Sequence, residues 1–298
     1  MTPYIIMVKN ISLHKTSLCG LRPSNEDAEG YKMNLTSDGN PKNPNLAPID
    51  FFVVCDGHGG SEVAKFVVPI LEKQIMMKNN SFPLPYGYIK EIYNNIQDSL
   101  IKHPKKIANA CGCTALVVIR YLDEKGYPNI QVINIGDSRA VLCRSGLAIP
   151  LCKDHKPFWS DEKRRIDYVN KKYNKNLQIH YDAGDWRIGD LSVSRAFGDL
   201  DNTPHVTHIP ESFNYQLIPE DEFIVLGCDG LFDQLQNHEI INFVRDHYNN
   251  NNTELYDIAD KYPTDEIIQT KNIARKLAEF AICSGSTDNV SILIVFLK

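Results

Sequence analysis

Phe51, Phe52, Val53, Val54 and Cys55 form an apolar run with neither period-two alternation nor charge, and the run stops abruptly at Asp56-Gly57-His58-Gly59-Gly60. A strand exposed on one face alternates polar with apolar residues, so this run predicts a strand covered on both faces. The chain must therefore place layers on either side of it, and Asp56 must stand at the edge of a core. Glycines at 57, 59 and 60 permit positive φ and close approach of backbone to a ligand, so the turn can hold Asp56 and His58 toward a shared point. A tight turn alone is the simpler explanation of so short a motif. The rest of the chain has to decide.

The pattern recurs. EFIVLGCDGLFDQL sets Asp229 and a glycine after an apolar strand, VINIGDSRAVL sets Asp137 after another, and GSTDNVSILIVF sets Asp288 directly before one. Near the N-terminus, LRPSNEDAE supplies Arg22, Glu26 and Asp27. Taken singly, each has an ordinary structural explanation: a capping or turn aspartate, an Asp-Asn turn pair, an Arg22–Glu26 ion pair. Together they imply more. Carboxylates gathered at one rim repel one another and take up protons unless a cation neutralises them. An oxygen-only ligand set without thiolate or several histidines suits Mg2+ or Mn2+ rather than structural zinc. Two such ions lower the pKa of a bridging water, which makes hydroxide available near neutral pH for in-line attack on phosphorus. Arg22 could then hold phosphate oxygens with its planar fork, and His58 could protonate the departing alkoxide.

Strand-like runs recur as FFVVC, CTALVVIRYL, IQVINIG, AVLCRSG, EFIVLGC and VSILIVFL. Helical periodicity is found in SEVAKFVVPILEKQI, IKEIYNNIQDSLIK, NHEIINFVRDHY and TKNIARKLAEFAICS. Neighbouring strands with helices segregated around them favour an α+β layered domain over an alternating parallel fold. With no internal repeat and no long linker, residues 1–298 are expected to form one catalytic domain. SDGNPKNPNLAP and HYNNNNTEL read as loops. Lys156 to Arg187 is polar, charged and irregular in pattern, so a flap or recognition insert is expected around 156–190. The short N-terminal extension, which contains YIIMV, is expected to add an edge strand.

A net charge of −5 and a pI near 6.0 argue against nucleic-acid or acidic-membrane binding. Most of the eight cysteines lie inside apolar runs, which predicts reduced, buried thiols. Cys111 and Cys113 have no second pair at a zinc-site spacing. No stretch reaches membrane-spanning length, and Thr2 stands where N-myristoylation requires glycine. The expectation is a monomer in the cytoplasm, and also in the nucleus.

RPSNEDA, FFVVCDGHGG, GCTALVV, INIGDSRAVL, DHKP, GDLSVSRAFGD, FIVLGCDGLFD and GSTDNVSILIV, in this order, resemble the metal-dependent protein serine/threonine phosphatases of type 2C. They run from about residue 20 to the C-terminus. The resemblance implies an α+β fold: a central β-sandwich of two antiparallel sheets flanked by pairs of helices, in α-β-β-α layers. It also implies two Mg2+ or Mn2+ ions at one end, with a weaker third, and hydrolysis of phosphoserine and phosphothreonine in phosphorylated signalling proteins by metal-bound hydroxide, without a phosphoenzyme. By motif position Asp56 corresponds to the bridging ligand, the Gly57 carbonyl and Glu26 to one metal, and Asp229 and Asp288 to the other. Asp137 corresponds to the acid of the third metal, shared with Asp229. Arg22 corresponds to the phosphate-binding arginine, His58 to the general acid, and Asp27 and Asn289 to residues that orient ligands. Cys55, in its apolar run, is expected to point inward and be inert. The chain departs from the family pattern at Cys113, where serine or threonine is usual, and at DAGDWRIGD, where a glycine pair before a valine is usual. The second departure bears on substrate docking. A binding protein that has lost catalysis and a hydrolase of small phosphate esters are the competing readings; every expected metal acid is present, which speaks against the first.

Overall fold

The strand Ile49–Cys55 is buried at all seven positions, and its two faces enter different cores. Phe51, Val53 and Cys55 join an apolar cluster with helical residues, whereas Phe52 and Val54 join a cluster lying between two sheets. This is the covering on both faces that the unbroken apolar run predicts, and Cys55 points inward as expected. Burying each valine or phenylalanine side chain contributes roughly 1.5–3 kcal/mol, so the strand is firmly anchored.

The computed structural model describes residues 11–36, 39–249 and 272–297. The N-terminal extension adds an edge strand, as expected, at Ser12–Leu18; its first ten residues, with YIIMV, lie outside the described residues, as does the Asn-rich stretch beyond 249. Two five-stranded antiparallel sheets form the centre. One runs Ser12–Leu18, Val290–Phe296, Asp221–Gly227, Arg139–Arg144, Leu147–Pro150. The other runs Glu211–Gln216, Pro128–Ile135, Ala115–Leu122, Ile49–Cys55, Ala28–Met33. Helices α1 (Glu62–Ile75) and α2 (Tyr86–Ile101) cover the second sheet with Val63, Val67, Leu71, Ile92 and Ile96. The remaining α-helices among the described residues are α3 (Ser160–Tyr173), the short α4 (Asp229–Phe232), α5 (Asn237–Asn249) and α6 (Ile273–Cys283). Ile240 and Val244 of α5, with Leu277 and Ala281 of α6, cover the first sheet. Apolar spacings of three and four residues give α1, α2, α5 and α6 one buried stripe each, and the result is the α-β-β-α layering that the resemblance implies.

Within the second sheet Asp50 and Arg120 are cross-strand partners joined at 2.9 Å, with side chains 0 and 1% exposed. Asp50 Oδ1 also accepts the backbone N–H groups of Asn34 and Leu35 at 2.8 and 2.9 Å.

The segment 156–187 is not irregular. It contains α3 and a hairpin of Ile179–Asp182 with Asp185–Ile188. The buried stripe of α3 is Glu162, Ile166 and Val169, so a carboxylate occupies one of its three inward positions. Glu162 is satisfied by Arg165 at 2.9 Å and by Arg195 at 3.0 Å. An apolar-periodicity argument cannot recognise a helix docked partly by ion pairs.

Candidate functional site

Ile49–Cys55, Asp221–Gly227 and Pro128–Ile135 all run out at one end of the sandwich, where the next residues include Asp56, Asp229 and Asp137. Val290–Phe296 starts there, just after Asp288. Rigid sheets thus deliver four acids, from segments far apart in sequence, to one cavity of about 320 Å³. Arg22, Glu26, Asp56, Gly57, His58, Asp137, Asp229 and Asp288 all line it.

Asp56, Asp137 and Asp229 are the tightest group, with one carboxylate oxygen of each within 4.8 Å of the others. Thr114 fixes Asp56 from both sides. Asp56 N–H donates to Thr114 Oγ1 at 3.0 Å, and Thr114 N–H donates to the Asp56 carbonyl at 2.9 Å. Burial, and then the charges of Asp229, Asp27 and Asp137, push the Asp56 carboxyl well above the usual range. Burial and then Asp137 do the same to Asp229. Lys156 Nζ lies 2.6 Å from Asp137 Oδ2 and 3.1 Å from Asp185 Oδ2. The oxygen-only donor set, its crowding and its raised carboxyls fit a hard divalent cation.

Glu26 and Asp288 border the same cavity but stand outside that tight cluster. Glu26 Oε2 accepts the Gly60 N–H at 3.1 Å, while its own N–H donates to Asn289 Oδ1 at 2.8 Å. Asn289 also donates to the Cys19 and Ser24 carbonyls, which ties the Arg22–Glu26 loop to the last strand. Gly57 packs so closely that an added Cβ would lie 2.1 Å from the Glu26 carbonyl oxygen, so only glycine fits. Arg22 pairs with Asp288 at 2.7 Å rather than with Glu26. Asp27 is buried, and among the described residues no hydrogen bond of ordinary length and angle reaches its carboxylate oxygens, although the Ser291 hydroxyl, the Cys228 thiol and the Gly57 N–H stand near enough to offset part of the effect of burial. Its pKa rises to about 6, chiefly from burial.

His58 has a partner that sequence reasoning missed. Its Nε2 lies 2.9 and 2.8 Å from the two carboxylate oxygens of Asp199, whose side chain is 1% exposed. Burial alone lowers the imidazole pKa, but Asp199, Asp137 and Glu26 outweigh it and the net shift is upward. An added Cβ at Gly112 would stand 2.2 Å from Asp199 Oδ2 and 2.6 Å from His58 Nε2, so this approach also needs glycine. The signal available in sequence was the last residue of GDLSVSRAFGD. Arg187 and Asp190, from the charged segment, complete the cavity wall.

The sequence profile described as Protein phosphatase 2C matches residues 11–290. A PP2C-like domain-containing protein of Acanthamoeba polyphaga mimivirus is 67% identical over 177 residues, which is 59% of this chain and 99% of that protein. Probable protein phosphatase 2C 59 of Oryza sativa subsp. japonica is 33% identical over 248 residues, 83% of this chain and 66% of that protein. The chain therefore spans about two thirds of the rice relative. Among solved structures, a phosphatase from a pathogenic strain of Toxoplasma gondii superposes with a TM-score of 0.73 at 21% identity, covering 96% of this chain and 92% of that one. A sex-determining protein of C. elegans superposes at 0.75 and 22%, covering 97% and 65%. Both share the fold. The profile match across nearly the full described length, on a sandwich that gathers the motif acids at one end, means that this chain belongs to the protein phosphatase 2C family.

Proposed function

We propose that the protein is a Mg2+- or Mn2+-dependent phosphatase of phosphoserine and phosphothreonine in proteins. The observation that carries this reading is the convergence of Asp56, Asp137 and Asp229 within 4.8 Å, in a cavity that also holds Arg22 and His58. Asp56, Glu26, the Gly57 carbonyl, Asp229 and Asp288 would hold two ions, and Asp137 a third. When bound, such ions neutralise the carboxylates, activate water as the nucleophile and stabilise the phosphoryl oxygens. Lys156 already places a positive charge on Asp137, so a third ion there competes with it and binds more weakly.

Arg22 turns its planar guanidinium to the phosphate oxygens, exchanging one carboxylate partner for the substrate. His58, with Nε2 held by Asp199, keeps Nδ1 for the leaving oxygen. The upward shift favours the protonated imidazole, which is the state an acid catalyst needs. Asp199 is a positioning residue: it orients the imidazole and supports its charge without touching substrate. The hairpin carrying Arg187 borders the entrance and contributes to recognition of the protein substrate.

Metal-free protein given a phosphothreonine peptide is expected to release phosphate on addition of Mn2+ or Mg2+ and to stop on addition of EDTA. No release from folded protein at any concentration of either metal would overturn the reading. His58→Ala is expected to slow phosphothreonine hydrolysis by about 10²- to 10⁴-fold. It should slow p-nitrophenyl phosphate hydrolysis much less, because that leaving group hardly needs a proton. Equal losses on the two substrates would remove His58 from the acid role. Asp199→Asn should reproduce the same substrate-dependent pattern with a smaller loss; an equal fall on both substrates would make Asp199 merely structural.

A further inference from the structure

On the core side of Asp56 lies a second grouping, distinct from the one opening to the cavity. One ligand atom each from Asp27, Asp56 and Cys228 lies within 4.8 Å of the others. Asp27 is 7% exposed, and among the described residues no hydrogen bond of ordinary length and angle reaches either of its carboxylate oxygens, although the Ser291 hydroxyl, the Cys228 thiol and the Gly57 N–H stand near it. A buried carboxylate in that condition is costly unless a cation or donors reach it. Cys228 is fully buried at the start of α4; its sulfur donates to the Asn289 carbonyl and accepts from the Ser291 N–H, each at 3.2 Å, and stands beside the Asp27 carboxyl. The phosphatase reading assigns this thiol no part.

Two carboxylate oxygens and a thiolate suit a borderline or soft divalent ion such as Zn2+ or Cd2+, whereas Mg2+ and Mn2+ avoid sulfur. We propose that Asp27, Asp56 and Cys228 form an inner site for a thiophilic divalent cation, and that filling it inhibits the enzyme. The Cys228 thiol loses its proton to solvent as the sulfur–metal bond forms, with no change of oxidation state. Asp56 belongs both to this group and to the cluster with Asp137 and Asp229, so an ion on the inner side draws on a carboxylate that the outer ions need, and the two modes of metal binding compete. The inhibitory part rests on the phosphatase reading; the binding part does not.

The test is a Cd2+ titration of metal-free protein, followed by the sulfur-to-cadmium charge-transfer absorption in the ultraviolet. Wild-type protein should show a saturable band at one equivalent, and excess Mn2+ should suppress it. Cys228→Ser should abolish the band, and Asp27→Asn should weaken Cd2+ binding by about tenfold or more. Cys228→Ala serves if the serine variant fails to fold, as judged by circular dichroism. With Mn2+ present, Cys228→Ser should retain phosphatase activity while its inhibition by Zn2+ weakens by about tenfold or more. Absence of the band in wild type, its persistence in the Cys228 variants, or its indifference to Mn2+ would overturn the inner site. A band in protein that releases no phosphate with any metal would leave the inner site standing and sink the phosphatase reading instead.

Discussion

Asp56→Asn is expected to reduce Mn2+-supported phosphate release by roughly a thousandfold or more, since losing a shared ligand forfeits several kcal/mol of transition-state charge stabilisation. The fold should survive the change. Burial and the neighbouring acids raise the Asp56 carboxyl well above its ordinary value, so folding without metal shifts it toward the neutral form that asparagine imitates. A carboxyl whose pKa is raised by folding binds its proton more tightly in the native state than in the unfolded one. Native stability therefore falls as pH climbs from the unfolded pKa toward the folded one. Above that window the metal-free wild type bears the full penalty and the asparagine variant does not. Metal-free Asp56→Asn should accordingly melt at or above the wild-type temperature, by a margin that widens as pH rises through the window, while remaining inactive. Turnover near the wild-type value at saturating Mn2+ would contradict a bridging role, and a large fall in melting temperature would instead mark Asp56 as structural.

Asp50→Ala is expected to have the largest effect on stability. It strands Arg120, 1% exposed, whose Nε and one terminal nitrogen already lack hydrogen-bond partners among the described residues. Burial pushes the Asp50 carboxyl up and the Arg120 guanidinium down, so desolvation weighs on both members of the pair. Removing one partner of such a pair costs about 3–5 kcal/mol, far more than the net worth of the intact pair. The melting temperature should fall by on the order of 10 °C, as read by calorimetry. Replacing both residues with apolar ones of similar volume, Asp50→Leu with Arg120→Met, should recover only the part of the loss owed to the stranded guanidinium, because the Asn34 and Leu35 N–H groups still lose their acceptor. A fall of only a degree or two in the single variant would mean that water or a shift of Arg120 relieves the buried charge. The prediction concerns the scaffold alone, because the pair lies within the second sheet, apart from the acidic cavity.

How much of this was legible in sequence differs from element to element for physical reasons. The strand Ile49–Cys55 was readable because both its faces are buried, which removes alternation from the sequence itself. The helices α1, α5 and α6 were readable from apolar residues at three and four. The sandwich was not derivable from such patterns, since pairing Ser12–Leu18 with Val290–Phe296 joins opposite ends of the chain and leaves no local trace. Only the resemblance supplied it. The helix α3 was missed because Glu162, held by arginines, takes an inward place that pattern reading reserves for apolar residues. In the site, the aspartates at strand ends were visible one by one, while their convergence was an inference from number. The His58–Asp199 contact was invisible for a different reason: its members are 141 residues apart, and the aspartate looks like any turn acid after a glycine. Likewise Arg22 finds Asp288 across 266 residues, where the sequence offered Glu26 as the nearer partner.

The measurement that tests the central claim most directly is the number of Mn2+ ions bound per chain at equilibrium, followed on the same samples by phosphate release. Two ions should bind to wild type, with activity appearing only as the second site fills, and Asp229→Ala should bind fewer ions and remain inactive. Full activity with one ion or none, or two ions bound to Asp229→Ala with unchanged turnover, would contradict the assignment of these acids to a binuclear phosphatase centre.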